Sequence, residues 1–296
     1  MSSNSLIGWT DDTWPAVVVG CTRCSEGCLN CYIERTVPFR VEHRRFDGPG
    51  IGASTGIVFH EKRLAWPLHR RAGRKIFVNS QADLFHKDVP TELLAKMLAV
   101  MAATPRHTYQ VLTKRPPRMQ HLFTSPRFQD QVRQAMDLPF IRNLAEAGPE
   151  EFLWPLPNLW LGVSAETQRW LEYRVRILRA TPAAVRMVSA ELLLAPLQLA
   201  PTVGGPLSQN SIDWIIVGGE SGPGARPMDA DWARSIIHQC AQLDIACFFK
   251  QAGAVLAKEW GGGGAGHDPA YWPEPFPQQF PEPANTTVGA AARRAS

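Results

Sequence analysis

The chain lacks any long apolar segment. None of its hydrophobic runs approaches the ~20 residues that a helix needs to span a bilayer. Its first residues, MSSNSLIGWTDDTWP, also lack the basic and then apolar order of a secretory signal. The sequence therefore predicts a cytoplasmic protein without a membrane partner.

The chain also has little net charge. The 296 residues carry a formal charge of +4 and are 45% hydrophobic, which is enough to build a large core. A small positive excess permits a nucleic-acid partner without requiring one, because arginines scattered over helix surfaces give the same total. Charge therefore leaves the class of partner open.

Cysteine is scarce except in one place. The chain has six cysteines, and four of them fall within CTRCSEGCLNC, residues 21–31. Thiols stay reduced in the cytosol, where clustered cysteines usually bind metal or carry out redox chemistry. Cys240 and Cys247 stand apart in apolar surroundings, and we expect them to be buried in the core.

Short apolar runs alternate with amphipathic helical stretches along the chain. Their continuous apolar character is typical of parallel strands that are buried on both faces, with helices as crossovers. Repeated units of this kind predict an α/β fold, a parallel (β/α) barrel that is TIM-like or partial, with the cysteine loop after strand 1. The predicted strands are AVVVG, GIVFH, KIFVN, YQVLT, LWLGV, VRMVS, DWIIVGG and CFFKQ.

Two segments depart from this alternation. Residues 1–258 are predicted to form a single barrel domain. Within it, residues 124–158 carry five prolines between two strands, and we interpret them as an insertion that could act as a lid over the barrel mouth. Residues 259–296 are rich in Gly and Pro and are predicted to be a mostly disordered tail.

Polar residues follow successive predicted strands. The carboxyl ends of parallel barrel strands open onto one mouth, where active sites are built. Asp and Ser at such places can instead cap the next helix, but a lysine is poorly placed at a helix N-terminus unless an anion binds there. Lys114 at this mouth could bind either a cofactor carboxylate or a substrate phosphate. The residues predicted to bind a cofactor are Asn79, Asp83, Thr113, Ser164, Glu191, Gly218, Gly219, Glu220 and Lys250.

The cysteine spacing allows two kinds of metal centre. Cys21, Cys24, Cys28 and Cys31 form two CxxC pairs, but only three residues separate the pairs, which is cramped for tetrahedral zinc. An iron–sulfur cluster is larger and accepts ligands from one short loop. The CxxxCxxC from Cys24 to Cys31 resembles the motif of radical S-adenosylmethionine (radical-SAM) enzymes, whose three cysteines hold a [4Fe-4S] cluster that binds S-adenosylmethionine.

A closer resemblance covers residues 8–254. The blocks WTDDTWPAVVVGCTRCSEGCLNCY, KIFVNSQADLFHKDVP, VLTKRPPRM, LWLGVSAET, RMVSAELLLAPL, DWIIVGGESGPGARPM and FFKQAG are similar to those of the phage Gp37/Gp68 family, a domain of unknown function of radical-SAM type. The family pattern implies Cys21, Cys28 and Cys31 as ligands, whereas the general radical-SAM spacing implies Cys24, Cys28 and Cys31. All four cysteines therefore stay candidates.

The resemblance implies a radical-SAM enzyme with a partial barrel, a [4Fe-4S] cluster, S-adenosylmethionine and an external electron donor. Its expected substrate class includes nucleic acid or nucleotide, and a partner protein could complete the site. We predict Lys114 and Glu220 as catalytic residues. The GGE at Glu220 resembles the radical-SAM motif that binds the cofactor amino group, although that motif normally follows the second strand. Two alternatives stay open: a zinc- or cluster-stabilised nucleic-acid-binding protein without catalysis, and an electron-transfer module.

Overall fold

Seven parallel strands form the main sheet, which curls into a half barrel. The computed structural model describes residues 7–204 and 210–282. The strands lie side by side in chain order, and the two end strands each pair with one neighbour, so the sheet is open rather than a closed TIM barrel. The strands are β1 (Asp12–Trp14), β4 (Lys75–Val78), β5 (Thr108–Thr113), β6 (Leu159–Ser164), β7 (Val185–Glu191), β8 (Trp214–Gly218) and β9 (Ala246–Gln251).

The first part of the chain differs from the prediction. The runs AVVVG and GIVFH do not join the main sheet but pair with each other as the antiparallel strands β2 (Val18–Val19) and β3 (Val58–Phe59). The first parallel strand is β1, which lies in the polar stretch DTW. Beyond it, Gly20 forms a parallel bridge to Ala82, so the cysteine loop begins at the carboxyl end of the sheet. The other six predicted strands are confirmed.

Helices connect the parallel strands and cover the convex face of the sheet. Parallel strands need long crossovers, and the apolar faces of these helices supply the other half of the main core. In α6, for example, Leu171, Val175 and Leu178 recur at helical spacing and are all buried. No described helix is long and apolar enough to cross a membrane. The helices are α1 (Val37–Val41), α2 (Thr91–Ala102), α3 (Pro116–Phe123), α4 (Pro126–Ala135), α5 (Pro139–Arg142), α6 (Gln168–Arg179), α7 (Ala230–Gln242) and α8 (Ala254–Glu259).

The concave face of the sheet carries a second apolar cluster. Trp214 packs edge to face against Trp9, Trp160 and Phe248, with ring centroids 5.7 to 6.1 Å apart. Trp214 begins β8, and Trp160 and Phe248 lie in the first halves of their strands. Because alternate strand residues point to the same face, the later residues on this face stand above the aromatic cluster, toward the carboxyl ends.

The insertion lies on the outside of the molecule. Within residues 124–158, Phe128 and Val132 of α4 are buried in the main core, where α4 packs against α2. Trp154 donates a hydrogen bond from Nε1 to the Phe123 carbonyl at 3.0 Å. This segment therefore thickens the helical layer.

The described part of the Gly/Pro-rich tail is ordered, contrary to the prediction of disorder. Phe276 stacks on Phe249 of β9 with centroids 4.3 Å apart, and Gln278 forms an antiparallel bridge to Phe248. Phe280 packs on Trp214 at 5.3 Å. The aromatic residues of the tail therefore bind it along the free edge of β9. Residues 283–296 lie outside the described residues.

Candidate functional site

A cavity of about 570 Å³ opens at the carboxyl ends of the strands. Its wall combines the cysteine loop with the ends of strands β4 to β9, which are the places that the polar residues of the sequence predicted. Gly218 is not among the lining residues, and none of residues 124–158 lines the cavity either. The predicted residues that do line it are Asn79, Asp83, Thr113, Lys114, Ser164, Glu191, Gly219, Glu220 and Lys250.

Three of the four clustered cysteines face this cavity. Cys21, Cys28 and Cys31 line it, whereas Cys24 is not among the lining residues. The Cys24 thiol donates a hydrogen bond to Cys28, and this bond and the charge of Lys114 lower the pKa of Cys28 against the opposing effect of burial. Burial raises the pKa of Cys21 to about 11 and also raises that of Cys31. Cys28 is therefore the thiol most readily ionised.

The donor chemistry of these thiols matches an iron–sulfur cluster. Within residues 7–204 and 210–282, no group of three or more His, Cys, Asp or Glu side chains is already arranged to hold a metal ion. Three thiols from one short loop, open to one cavity, are nevertheless the ligand type that such clusters use. Cys21, Cys28 and Cys31 are the three cysteines that line this cavity.

A buried carboxylate fastens the cysteine loop to the sheet. Glu166 has no solvent exposure and accepts hydrogen bonds from Ser25 Oγ at 2.7 Å and Arg174 Nη1 at 2.8 Å. It also forms an ion pair with Lys114. Burial raises the pKa of Glu166, but the charges of Lys114 and Arg174 outweigh burial and bring this pKa down to about 2. The loop is therefore held by an ionised group.

Gly27 lets the loop approach this carboxylate. A Cβ at residue 27 would lie 2.3 Å from Glu166 Oε1. This is closer than a non-bonded carbon and oxygen approach each other, so one of the two would have to move. Glycine is needed here for close packing rather than for an unusual backbone angle. The loop and Glu166 therefore fit together only because residue 27 has no side chain.

Two arginines hold the loop from other sides. Arg115 donates from Nη2 to the Thr22 carbonyl at 2.6 Å and from Nη1 to Asp83 at 2.8 Å. Arg226 donates from Nη1 to the Glu26 carbonyl at 2.9 Å. These contacts reach the start and the middle of the loop, so its position is set by residues that are far away in sequence.

Asp83 supports the wall instead of offering a free carboxylate. Its Oδ1 accepts from Thr113 Oγ1 at 2.7 Å and from the Phe85 amide at 3.0 Å. Its Oδ2 accepts from the Lys114 amide at 2.9 Å and from Arg115. Four donors thus occupy the oxygens that the sequence analysis assigned to a cofactor.

The two predicted catalytic residues are both paired with other charges. Lys114 binds Glu166, and Glu220 accepts two bonds from the Arg226 guanidinium, each at 2.9 Å. Although burial raises the pKa of Glu220, the Arg226 hydrogen bonds lower it overall. Neither residue therefore presents an unpaired charge to the cavity.

A comparison with family models shows the protein family to which the chain is related. A model described as "Protein of unknown function (DUF5131)" matches residues 4–290. The chain belongs to this family. No curated protein and no solved structure matches it. The DUF5131 family has no assigned activity, so membership leaves the resemblances to Gp37/Gp68 and to radical-SAM enzymes as predictions.

Sequence reasoning overlooked part of the site of this DUF5131 chain. Arg174 lies on the buried side of α6, and Arg226 follows a glycine-rich loop, so neither sits directly after a strand. Ser25 is one of several small polar residues in the cysteine loop. The only signal for their roles in the sequence is that they carry polar groups, which many structural residues share.

Proposed function

We propose that this protein is an iron–sulfur enzyme of the radical-SAM type, which reductively cleaves S-adenosylmethionine to act on a second substrate. The observation that carries the proposal is that Cys21, Cys28 and Cys31 come from one loop and line one cavity at the carboxyl end of a curled parallel sheet. Active sites of parallel barrels occupy that end. The proposed substrate class is nucleic acid or nucleotide. We also propose that an external donor supplies the electron and that a partner protein completes the site.

The bound cofactors would supply one-electron reduction and radical chemistry for the abstraction of hydrogen from the substrate. The chain itself has to hold and orient these groups and exclude water. Cys21, Cys28 and Cys31 would hold the cluster. Glu166 and Arg115 keep the cysteine loop in place through Ser25 and the Thr22 carbonyl.

The strand ends offer groups that suit the rest of the cofactor. The hydroxyls of Ser164 and Ser189 lie on the cavity wall and can both donate and accept hydrogen bonds. Gly219 also lines the wall, where its backbone packs so tightly that a Cβ would lie 2.3 Å from the Ala252 carbonyl oxygen. These residues can orient a polar ligand without adding net charge.

A second candidate function is a zinc- or cluster-stabilised nucleic-acid-binding protein without catalysis. The observation that favours it is that all four clustered cysteines are free and partly buried, so that a fourth thiol is close to the other three in the chain. Four thiolates are a common ligand set of structural zinc. The metal bound by the purified protein distinguishes the two candidates.

The test is anaerobic purification and reconstitution, followed by iron and sulfide analysis and an assay for 5′-deoxyadenosine with dithionite and S-adenosylmethionine. We expect iron, sulfide and 5′-deoxyadenosine together, and all three to be lost in Cys28→Ala. Cys240→Ala, a change of the same kind in the buried part of α7, is the control and should keep them. Stoichiometric zinc without iron uptake would overturn the enzyme proposal, and a cluster without 5′-deoxyadenosine would indicate an electron carrier.

A further inference from the structure

The bottom of the cavity is apolar. Phe77 of β4 and Leu112 of β5 point to the concave face and line the cavity, and both are only half-buried, unlike most apolar residues of the sheet. Trp9 lies beside Phe77, with ring centroids 4.9 Å apart in an edge-to-face arrangement. We call Trp9, Phe77 and Leu112 the cavity floor. Its exposed apolar surface is available to a ligand.

The charged residues of the cavity wall leave no free cation for a phosphate. Each charged side chain that lines the cavity has an oppositely charged partner within the described part of the chain. A phosphate would have to displace one of these carboxylates, and breaking a largely buried pair is costly. The pairs are Lys114 with Glu166, Arg115 with Asp83, Lys250 with Glu191, and Glu220 with Arg226.

Uncharged donors remain near the floor. Asn79 Nδ2 and Trp9 Nε1 are buried and have no hydrogen-bond partner among the described residues, and both residues line the cavity. The other end of the Asn79 side chain is fixed, since its Oδ1 accepts from the Val18 amide at 3.1 Å. Buried donors of this kind favour a ligand with acceptor atoms at its edge.

We propose that the cavity floor is the substrate subsite and that it binds an uncharged heteroaromatic ring of the nucleobase class. The flat ring packs on Phe77 and Leu112, and its edge oxygen or nitrogen atoms accept from Asn79 and Trp9. A purely aliphatic ligand would fill the floor but leave those donors unpaired. The assignment to the substrate rests on the proposed function, whereas binding of the ring does not require the cluster.

The experiment is isothermal titration calorimetry of the full-length protein with adenosine, guanosine, cytidine, uridine and thymidine, and with inorganic phosphate. Each titration is run with saturating S-adenosylhomocysteine, so that the adenine site of the cofactor is occupied, and is repeated without it. We expect at least one nucleoside to bind, its 5′-monophosphate to bind within about threefold of it, and phosphate alone not to bind.

Variants locate the binding site. Leu112→Trp fills the floor and should weaken nucleoside binding by about tenfold or more. Leu153→Trp makes the same change at a side chain that is 62% exposed and should leave the affinity unchanged. Trp9→Phe, which keeps a ring but removes the donor, should weaken binding as well and provides a second readout if Leu112→Trp does not fold.

Several results would overturn the subsite. The first is that none of the five nucleosides binds, and the second is that a nucleoside binds only when S-adenosylhomocysteine is omitted. The third is that a monophosphate binds about tenfold more tightly than its nucleoside in both Leu112→Trp and Leu153→Trp. The second result would assign the ring site to the cofactor. A protein that binds the ring but forms no 5′-deoxyadenosine would keep the subsite and overturn only the proposed reaction.

Discussion

At the scale of single residues, the cysteines differ in what they face. Cys28 and Cys31 belong to both ligand patterns that the sequence allows, and both line the cavity. Cys21 also lines it, whereas the Cys24 thiol is directed to Cys28. Under the proposed function, Cys21 is therefore the proposed third ligand, because it lines the cavity and Cys24 is not among the lining residues.

The choice between Cys21 and Cys24 can be measured directly. We predict that Cys21→Ser loses most of its iron and sulfide after anaerobic reconstitution, because a ligand facing the cavity is removed. Cys24→Ser should keep both, since its hydroxyl can still donate to Cys28. Iron content per chain and the optical spectrum are the readouts. The reverse pattern would make Cys24 the ligand and contradict the assignment.

Glu166 is predicted to link stability to pH. Its pKa falls from an ordinary 4.5 to about 2 in the folded protein. A lowered pKa stabilises the fold above about pH 4.5, and that contribution, on the order of 3 kcal/mol, is lost as the pH falls toward 2. We expect Glu166→Gln to be less stable at pH 7 and to show a shallower loss of stability below pH 4.5 in urea unfolding.

Glu61→Gln is the control for this prediction. Glu61 forms an ion pair with Lys96 at 3.1 Å, but it is 61% exposed, so the pair contributes roughly 0–1 kcal/mol. Its removal should leave the pH profile close to that of the unmodified protein. If the free energy of unfolding depends on pH in the same way in the unmodified chain and in Glu166→Gln, the contacts of Glu166 do not lower its pKa.

At the scale of elements, the cysteine loop is a short segment held by distant side chains. Its regular structure is the 3₁₀ turn Glu26–Cys28, and a second 3₁₀ turn, Tyr32–Arg35, follows the loop. Its position depends on close packing against Glu166 and on hydrogen bonds from Arg115 and Arg226. Changes in its packing should therefore affect the site as well as stability.

Gly27→Ala tests this packing. The added Cβ would lie 2.3 Å from Glu166 Oε1, so loop and carboxylate have to separate. We expect a loss of about 1–3 kcal/mol in the free energy of unfolding, as for other overpacked sites, together with reduced cluster content. Gly50→Ala is the matched control, because a Cβ there meets nothing within 4 Å. Equal behaviour of the two variants would show that the loop does not depend on this contact.

The tail is a second element whose role depends on packing. Phe276→Ala removes a ring that stacks on Phe249 and should destabilise the protein by about 3–5 kcal/mol. Tyr271→Ala, in the same segment but at a side chain that is 50% exposed, should cost much less. Urea unfolding measures both. If the tail does not pack on β9, both substitutions should change the free energy of unfolding by small and similar amounts.

At the scale of the whole molecule, the packed core and the cavity occupy different ends of the open half barrel. Its aromatic cluster fills the amino-terminal half of the concave face, and one cavity occupies the carboxyl end. Ligands bound in that cavity contact both the cysteine loop and the sheet, so their binding energy should stabilise the whole fold.

This linkage gives a prediction for the reconstituted protein. If the proposed cofactor site exists, S-adenosylhomocysteine at about 100 times its dissociation constant should raise the free energy of unfolding by about 2.7 kcal/mol, because a ligand that binds only the folded state stabilises that state. Anaerobic urea unfolding is the measurement. The effect should be strongly reduced in Cys28→Ala and retained in Cys240→Ala. An unchanged midpoint in the unmodified protein would argue against a cofactor site in the cavity.

The sequence by itself determined six of the seven strands of the main sheet and the mouth at their carboxyl ends. Continuous apolar runs such as LWLGV identify strands buried on both faces, and this signal is local. It failed for β1, which has three residues and includes a polar pair, and for β2 and β3, whose apolar character is the same in either kind of sheet. For the tail, the prediction of disorder followed the high Gly and Pro content and gave no weight to the aromatic residues that pack it on β9.

Only the tertiary structure decided how the site is arranged. Lys114 and Glu166 are 52 residues apart, and Lys250 and Glu191 are 59 apart, so sequence cannot reveal that each lysine is neutralised by a glutamate. It also decided which thiols face the cavity, because the cysteine loop follows the contacts that Glu166, Arg115 and Arg226 make with it. Burial and pairing arise from residues brought together by folding, whereas the tendency to form a strand is already present in the local chain.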